Sequence, residues 1–290
     1  MINKILVPLD GSKLSERIFP LLRLLAPGCS PSLEIDLVRC YEPPGLYYPF
    51  PEVANLLNDV LTDDVQLKVA TEYLEQKKAE LSEFKVNTRV LSGKPSVEIL
   101  EAGAEADLIL MASLGHGGLG RWLLGSTTVK VTRGATVPVL VVGAKTLEIE
   151  TPSKTAIKRI VVGLDGSEPA EQALLQAADL ARNLGAELYL YQAVSRLSFY
   201  SEEFPQILER ELEIAEEYLK ALARELGDLS VSVLVRDVGD SLEIAEYAEE
   251  VEADLLVLGS HGKGGVARWV LGSQTEIALQ EASCPVLITR

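Results

Sequence analysis

Two glycine-rich segments of this 290-residue chain have the residue types and the spacing that bind phosphate groups. In the second segment, Gly259 and Gly262 precede Gly272 and Ser273, which lead into the helix-period segment QTEIALQEA. Glycine allows successive backbone N–H groups to turn inward around an anion, and the N-terminus of a following helix adds the positive end of its dipole. The segment therefore predicts a phosphate site. The alternative is that its glycines only form a turn after a strand.

The first segment matches the second closely at its end. Residues 114–126 read LGHGGLGRWLLGS and residues 261–273 read HGKGGVARWVLGS, so both close on RW-x-LGS. We expect Trp122 and Trp269 to pack each loop against its helix, with adenine stacking as the alternative. The two histidines of the chain do not occupy matching positions, so they are not expected to bind a metal together. Contact with a phosphate and simple solvation are both open for three side chains, His116, His261 and Lys263.

Two aspartates lie in the repeated tripeptide DGS, which follows an apolar run in each half of the chain. Ser12 and Ser167 are predicted to cap the helices that follow, and each Asp-Gly pair predicts a tight turn. The carboxylates of Asp10 and Asp165 either serve only this turn or accept hydrogen bonds from a sugar or a base amine.

The whole chain is a tandem duplication. The sequence KILVPLDGS at 4–12 returns as RIVVGLDGS at 159–167, and ADLILMASLG at 106–115 returns as ADLLVLGSHG at 253–262. The first copy has extra residues, which we place in the proline- and tyrosine-rich stretch YEPPGLYYPFPE. A polar stretch without helical period separates the copies. The predicted division is a first domain at 1–145, a linker at 146–156 and a second domain at 157–290.

Each copy alternates short apolar runs with segments of helical period, which predicts a doubly wound, parallel α/β sheet. In the second copy the predicted strands are RIVVGLD, AELYLYQAV, VSVLVR, ADLLVLGS and CPVLIT. These runs are continuously apolar, as expected for strands that are buried on both faces. Ligands of such sheets bind at the carboxyl ends of the strands. Both the DGS tripeptides and the glycine segments follow predicted strands, so they are expected to share that edge.

Composition and charge narrow the classes of partner. The chain has 27 basic and 43 acidic residues and a net charge of −16, which argues against binding nucleic acid or an anionic membrane surface. Three cysteines without paired spacing predict neither a disulfide framework nor a zinc site. We read no targeting segment and no apolar run that could span a membrane, and therefore expect a reducing compartment, the cytoplasm.

Two common nucleotide signatures are weak or missing. The sequence contains no G-x-x-x-x-G-K-[ST], which excludes a P-loop enzyme of that type. A G-x-G-x-x-G does occur at Gly115, Gly117 and Gly120. It follows the fourth predicted strand instead of the first, so a dinucleotide site is not favoured.

These residues resemble the universal stress protein family, whose ATP-binding members share G-x2-G-x9-G-[ST]. Gly259, Gly262, Gly272 and Ser273 match this pattern in full, and Ala112 replaces the first glycine in the first copy. The resemblance covers essentially the whole chain. It implies two tandem, Rossmann-like domains, each with a five-stranded parallel sheet of strand order 3-2-1-4-5 and helices on both faces.

The resemblance also implies the ligand and the residues that contact it. The ligand is ATP, with Mg²⁺ bridging its phosphates as an option, and the glycine loops hold the phosphates while the first aspartate and the end of the second strand hold adenosine. In the second copy the implied residues are Gly163, Asp165, Ala193, Leu258, Gly259, His261, Gly262, Gly272, Ser273 and Gln274. In the first copy they are Pro8, Asp10, Cys40, Met111, Ala112, Gly115, Gly125, Ser126 and Thr127.

Family members pair their domains through the last strand of each sheet, which implies an internal pseudo-dimer here and allows two chains to form a homodimer. The leading functional hypothesis is an ATP-binding stress or signalling protein whose nucleotide controls its choice of an unidentified protein partner. Two alternatives stay open, a slow ATPase or phosphotransferase and a structural pairing module without nucleotide. For hydrolysis, His261 is the one candidate general base that we identify in the loops.

Overall fold

The computed structural model describes residues 1–42, 62–113, 124–143, 145–146, 155–195, 205–238, 243–261 and 272–290. The strands of the first repeat are β1 Lys4–Pro8, β2 Glu34–Tyr41, β3 Lys85–Ser92, β4 Leu108–Ala112 and β5 Val139–Val142. Its helices are α1 Lys13–Glu16, α2 Phe19–Leu25, α3 Asp63–Glu80, α4 Pro95–Gly103 and α5 Ser126–Gly134, with a short 3-10 turn at Ala26–Gly28.

The second repeat has the same alternation of strands and helices, with a single helix after its first strand. Its strands are β6 Arg159–Gly163, β7 Glu187–Ser195, β8 Val231–Val238, β9 Leu255–Gly259 and β10 Val286–Thr289. Its helices are α6 Glu168–Leu184, α7 Pro205–Glu225, α8 Glu243–Glu250 and α9 Ser273–Glu281. The strand order is β3-β2-β1-β4-β5 in the first repeat and β8-β7-β6-β9-β10 in the second. All pairs within a repeat are parallel, which confirms the predicted fold and strand order.

The two repeats join into one ten-stranded sheet. Strands β5 and β10 pair antiparallel, with Leu140 opposite Leu287, so the last strands pair as the resemblance implies for two domains. The carboxyl ends of the other strands therefore point to opposite edges of the sheet in the two repeats. Away from the sheet, Asn183 Nδ2 donates to the Gly28 carbonyl at 3.3 Å, which links the end of α6 to the 3-10 turn of the first repeat.

Hydrophobic residues cover both faces of the sheet. Successive residues of a strand point to opposite sides, so Ile5 and Val7 lie in one core and Leu6 lies in the other. Helices α2, α3, α6 and α7 pack on the first side, and α4, α5, α8 and α9 pack on the second. Each core contains residues of both repeats. The helices in the described ranges lack the length and apolar character that a membrane crossing requires.

The first helix differs between the repeats. Helix α6 is continuous for 17 residues and ends at Gly185, whose φ of +66° is a conformation that favours glycine. The corresponding stretch of the first repeat is divided into α1, of four residues, and α2, which has Pro20 near its start. Proline has no N–H to donate to the carbonyl of the preceding turn, so it is tolerated at the start of α2 but interrupts a helix that would continue from α1.

Candidate functional site

Each DGS tripeptide forms a turn at the carboxyl end of the first strand of its repeat. Asp10 Oδ1 accepts hydrogen bonds from Ser12 N at 2.9 Å and from Ser12 Oγ at 2.6 Å. Asp165 Oδ1 accepts the same pair from Ser167 at 3.0 and 2.6 Å. The glycine between them has a φ of +84° in the first repeat and +75° in the second, which explains why glycine occupies this position.

The serines of these turns cap the helices that follow. Ser12 Oγ accepts from Ser15 N at 3.1 Å, and Ser167 Oγ accepts from Ala170 N at 3.4 Å. The predicted capping is confirmed. One carboxylate oxygen of each aspartate is thereby committed to holding its serine, so the turn fixes the position of the carboxylate beside the strand end.

Both glycine segments are closed at their base by one backbone hydrogen bond. In the first repeat, Gly125 N donates to the Ser113 carbonyl at 2.8 Å, and in the second, Gly272 N donates to the Ser260 carbonyl at 3.1 Å. These bonds join the residue after the fourth strand to the residue before the next helix. Both ends of each glycine segment therefore lie at the carboxyl edge of the sheet.

A buried threonine fixes the helix that follows each loop, and sequence reasoning missed it. Thr128 Oγ1 donates to the carbonyls of Ala112 at 3.2 Å and Ser113 at 3.1 Å. Thr275 Oγ1 donates to the Gly259 carbonyl at 3.2 Å. The available signal was a threonine at the third helical position of both repeats, in GSTT and GSQT.

Helices α5 and α9 begin without a side-chain cap. Their N-cap residues are Gly125 and Gly272, and within the described residues neither helix has a side-chain cap hydrogen bond. Helices α1, α3 and α6 are capped by Ser12, Thr62 and Ser167, whereas α2 and α4 also lack a side-chain cap but have a proline in the first turn, which removes one N–H group there. The first backbone N–H groups of an uncapped helix are available to a bound anion, and the helix dipole favours negative charge there.

Gly259 lies against the start of α6. A Cβ atom at this position would lie 2.9 Å from the carbonyl carbon of Pro169 and 3.1 Å from the amide nitrogen of Ala170. The equivalent residue of the first repeat, Ala112, has a real Cβ and is 8% exposed. The methyl group of Ala112 is accommodated in the repeat whose first helix is short and interrupted. The replacement of glycine by alanine and the division of the first helix therefore occur in the same repeat.

The side chains of several predicted site residues belong to the hydrophobic core. Met111 and Leu258 are 4% and 6% exposed and pack among buried residues of the second side. At Gly163, a Cβ atom would lie 2.5 Å from both Ile244 Cδ1 and Leu258 Cδ2, so a larger residue here would displace the ends of these two side chains. The side chains of Met111 and Leu258 are therefore turned into the core. Pro8, the counterpart of Gly163, ends β1 at the carboxyl edge of the first repeat.

The ends of the second strands differ between the repeats. Cys40 is half-buried, its thiol lies 4.0 Å from the Pro95 carbonyl, and burial together with Glu98 raises the pKa of the thiol to about 12. A thiol with that pKa stays protonated at neutral pH and is a poor nucleophile. Ala193, its counterpart, is exposed.

The cationic side chain of Arg39 packs against the aspartate turn of the first repeat. The Arg39 guanidinium carbon is 4.7 Å from the centroid of the Tyr73 ring. A Cβ atom on Gly11 would lie 3.0 Å from the guanidinium, so Arg39 fills the space between the ring and the turn. Gln192 occupies this position in the second repeat, which gives the two sites different electrostatic surroundings.

His261 is held by the residue that ends the fourth strand. Its Nδ1 lies 2.9 Å from Ser260 Oγ, while Nε2 has no hydrogen-bond partner in the part of the chain that the structure describes. The other described site residues are Ser126, Thr127, Ser273 and Gln274, which form the first turns of α5 and α9. The remaining predicted residues lie outside the described ranges, namely Gly115, His116, Gly117, Gly120, Trp122, Gly262, Lys263 and Trp269.

Comparison with known proteins shows where this arrangement belongs. The model of the universal stress protein family matches the chain twice, over residues 1–143 and 156–290. The chain belongs to the universal stress protein family. Each match covers one repeat, and residues 144–155 between the repeats are not matched.

Individual universal stress proteins show the same relationship. One from Mycobacterium tuberculosis strain H37Rv is 32% identical over 211 residues, which are 71% of this chain and 69% of that protein. One from Methanocaldococcus jannaschii is 33% identical over 140 residues, covering 46% of this chain and 82% of that protein. The crystal structure of a universal stress protein from Archaeoglobus fulgidus matches 100% of this chain and 99% of its own, with a TM-score of 0.67 and 23% identity. That likeness shows the fold.

Proposed function

We propose that each repeat binds one ATP molecule and that the bound nucleotide controls a stress or signalling response. The phosphates would lie on the first turns of α5 and α9. The adenosine would lie between the aspartate turn and the end of the second strand, near Asp10 and Cys40 in one repeat and near Asp165 and Ala193 in the other. Location in the cytoplasm, an unidentified protein partner and association of two chains belong to the same proposal.

The observation that carries this proposal is the pair of helix starts, those of α5 and α9, that have neither a side-chain cap nor a proline in the first turn. Among the helices described, α5 and α9 follow directly on the two glycine segments, have glycine at the N-cap and lack a side-chain acceptor. In each repeat, the first-turn N–H groups lie at the same edge of the sheet as the aspartate of that repeat. A ligand with an anionic end and a hydroxyl- or amine-bearing end fits both features, and a nucleotide has both.

Magnesium would be bound chiefly by the phosphates. Within the described ranges, no group of three or more Asp, Glu, His or Cys side chains could hold a metal ion. Mg²⁺ keeps several waters in nucleotide sites and is commonly bound through phosphate oxygens with few protein ligands. A Mg²⁺ ion that bridges two phosphates is compatible with these residues.

The test is ATP binding measured by isothermal titration calorimetry on variants with a carboxylate at each helix start. Ser126→Asp and Ser273→Asp each place a negative charge where a phosphate would lie, while an acidic residue in the first turn stabilises a helix. We expect two ATP per chain for the unaltered protein, one for each single variant and none for the double variant.

Ser32→Asp is the matched control, because Ser32 is exposed in a turn before β2 and far along the chain from either loop. It should leave both sites intact. Failure of the unaltered chain to bind ATP, or retention of two ATP by the double variant, would overturn the proposal and favour a structural pairing module.

A slow ATPase is the second candidate, because the Ser260 contact fixes the His261 ring and leaves Nε2 for a water molecule. ADP release over hours, with and without His261→Ala, separates the two functions. Turnover that disappears with the imidazole would support the enzyme, and undetectable turnover in the unaltered protein would support binding alone. Turnover that His261→Ala leaves unaffected would exclude His261 as the general base.

A further inference from the structure

We infer that Arg133 of the first repeat sets the phosphate affinity of the second site, by neutralising Glu276 in the first turn of α9. The inference rests on the proposed function, since it concerns the same site. It makes one site dependent on a residue from the other repeat.

The antiparallel junction brings these two residues together. Because β5 and β10 run in opposite directions, the end of α5 lies beside the beginning of α9. Arg133 is in the last turn of α5, Glu276 is in the first turn of α9, and Arg133 Nη2 donates a hydrogen bond to Glu276 Oε1. The first repeat therefore supplies a cation at the helix start on which the second site depends.

Further contacts tie each of these helices to the segment that follows the last strand of the other repeat. Arg290, the last residue of the chain, donates through Nη2 to the carbonyl of Thr132, which is fully buried. At the other end of α9, Lys145 Nζ donates to the Glu281 carbonyl at 2.9 Å and to its carboxylate at 3.0 Å. The ion pair is thus part of a fixed contact between the repeats.

The charge of Glu276 acts directly on a bound phosphate. Glu276 lies three positions after Ser273, and helical side chains lean towards the N-terminus, which brings its carboxylate towards the uncapped N–H groups. An unneutralised carboxylate there favours the helix but repels an anionic ligand. Arg133 removes most of that repulsion, so the site keeps its affinity while the helix keeps its acidic first turn.

The reciprocal contact has no charge on either side. The residues that correspond to Glu276 and Arg133 by the repeat offset are Val129 in α5 and Gln280 in α9. The first turn of α5 therefore has no acidic residue, and among the described residues no cation of the second repeat forms an ion pair with it. Dependence on the neighbouring repeat is confined to the second site.

The test measures ATP affinity of the second site at low ionic strength, in a Ser126→Asp background that leaves this site alone. Arg133→Gln should weaken binding by about threefold to tenfold, because an uncompensated carboxylate then faces the phosphates across mostly solvated space. Glu276→Gln should strengthen binding by a similar factor, because Arg133 is then left as an extra cation. The double variant should return close to the reference.

The opposite signs distinguish this role from a structural one. Both single changes break the same ion pair, so a merely structural pair would weaken binding, or leave it unaltered, in both. The effects should shrink at about 0.5 M salt, since the two side chains are 43% and 35% exposed. Matched measurements in a Ser273→Asp background should show no change at the first site.

Shifts of the same sign in both single variants, or equal shifts at both sites, would overturn the inference while leaving ATP binding intact. Failure of the unaltered chain to bind ATP would remove the proposed function and this inference with it. The two failures therefore give different results.

Discussion

At the scale of single residues, the glycines of the two motifs occupy their positions for different physical reasons. Gly125 and Gly272 are the N-cap residues of uncapped helices. Gly259 is pressed against the backbone at the start of α6. The sequence predicted phosphate contact for Gly259, and that contact stays a prediction. The packing requirement could not be read from the motif, because Pro169 and Ala170 lie far away in the chain and approach only in the folded sheet.

The contrast between Gly259 and Ala112 gives a prediction about stability. Gly259→Ala should lower the free energy of unfolding by about 1–3 kcal/mol, because the new methyl group meets helix backbone that cannot move independently. Ala112→Gly, the reverse change at the matching position, should cost about 1 kcal/mol or less. Urea denaturation measures both. A Gly259→Ala variant as stable as the parent protein would show that α6 shifts freely.

At the scale of elements, the sequence predicted most of the architecture. Continuous apolar runs and helical periods predicted the strands of the second repeat, and the duplication carried them to the first. The interruption between α1 and α2 was not predicted, although Pro20 is its visible signal. The cross-repeat pair of Arg133 and Glu276 was also missed, since charge spacing within one helix does not reveal a partner on another.

Helix α9 should depend on its buried threonine. Thr275→Val removes the donor to the Gly259 carbonyl and leaves that carbonyl without this partner. We expect a loss of about 1 kcal/mol in unfolding free energy and weaker ATP binding at the second site only. Calorimetric titration and urea denaturation check the two effects.

Two variants serve as references for this prediction. Thr128→Val should produce the mirrored result at the first site. Thr71→Val should alter neither site, because Thr71 is exposed and its hydroxyl donates to the Leu67 carbonyl at 2.7 Å within α3. An equal loss of ATP affinity at both sites from Thr275→Val or from Thr128→Val would contradict the assignment of each threonine to the site of its own repeat.

At the scale of the whole molecule, the ten strands and both cores are continuous across the repeats. The sequence repeat predicted two domains, and the resemblance implied their pairing. Neither source predicted how the helices of the two repeats interlock, because those contacts depend on side chains that differ between the copies. Gly28 is one example, since a Cβ atom there would lie 2.8 Å from Leu184 Cγ.

Because the sheet is continuous, we expect a destabilising substitution at the junction of β5 and β10 to affect both repeats. Leu140 is 1% exposed and faces Leu287, so Leu140→Ala should cost about 2–5 kcal/mol. Hydrogen exchange should show loss of protection in β4 and β9 alike, whereas Val65→Ala, at an exposed position of α3, should change neither. Loss confined to the first repeat would indicate independent domains.

The junction of β5 with β10 also bears on how the two halves can diverge. In a homodimer built on the same strand pairing, symmetry would copy every substitution, so an arginine facing one site would have a twin facing the other. A covalent tandem is in effect an obligate heterodimer of fixed stoichiometry. Arg133 and Glu276 can therefore occur once, and one chain can hold two sites of unequal affinity that respond to different ranges of nucleotide concentration.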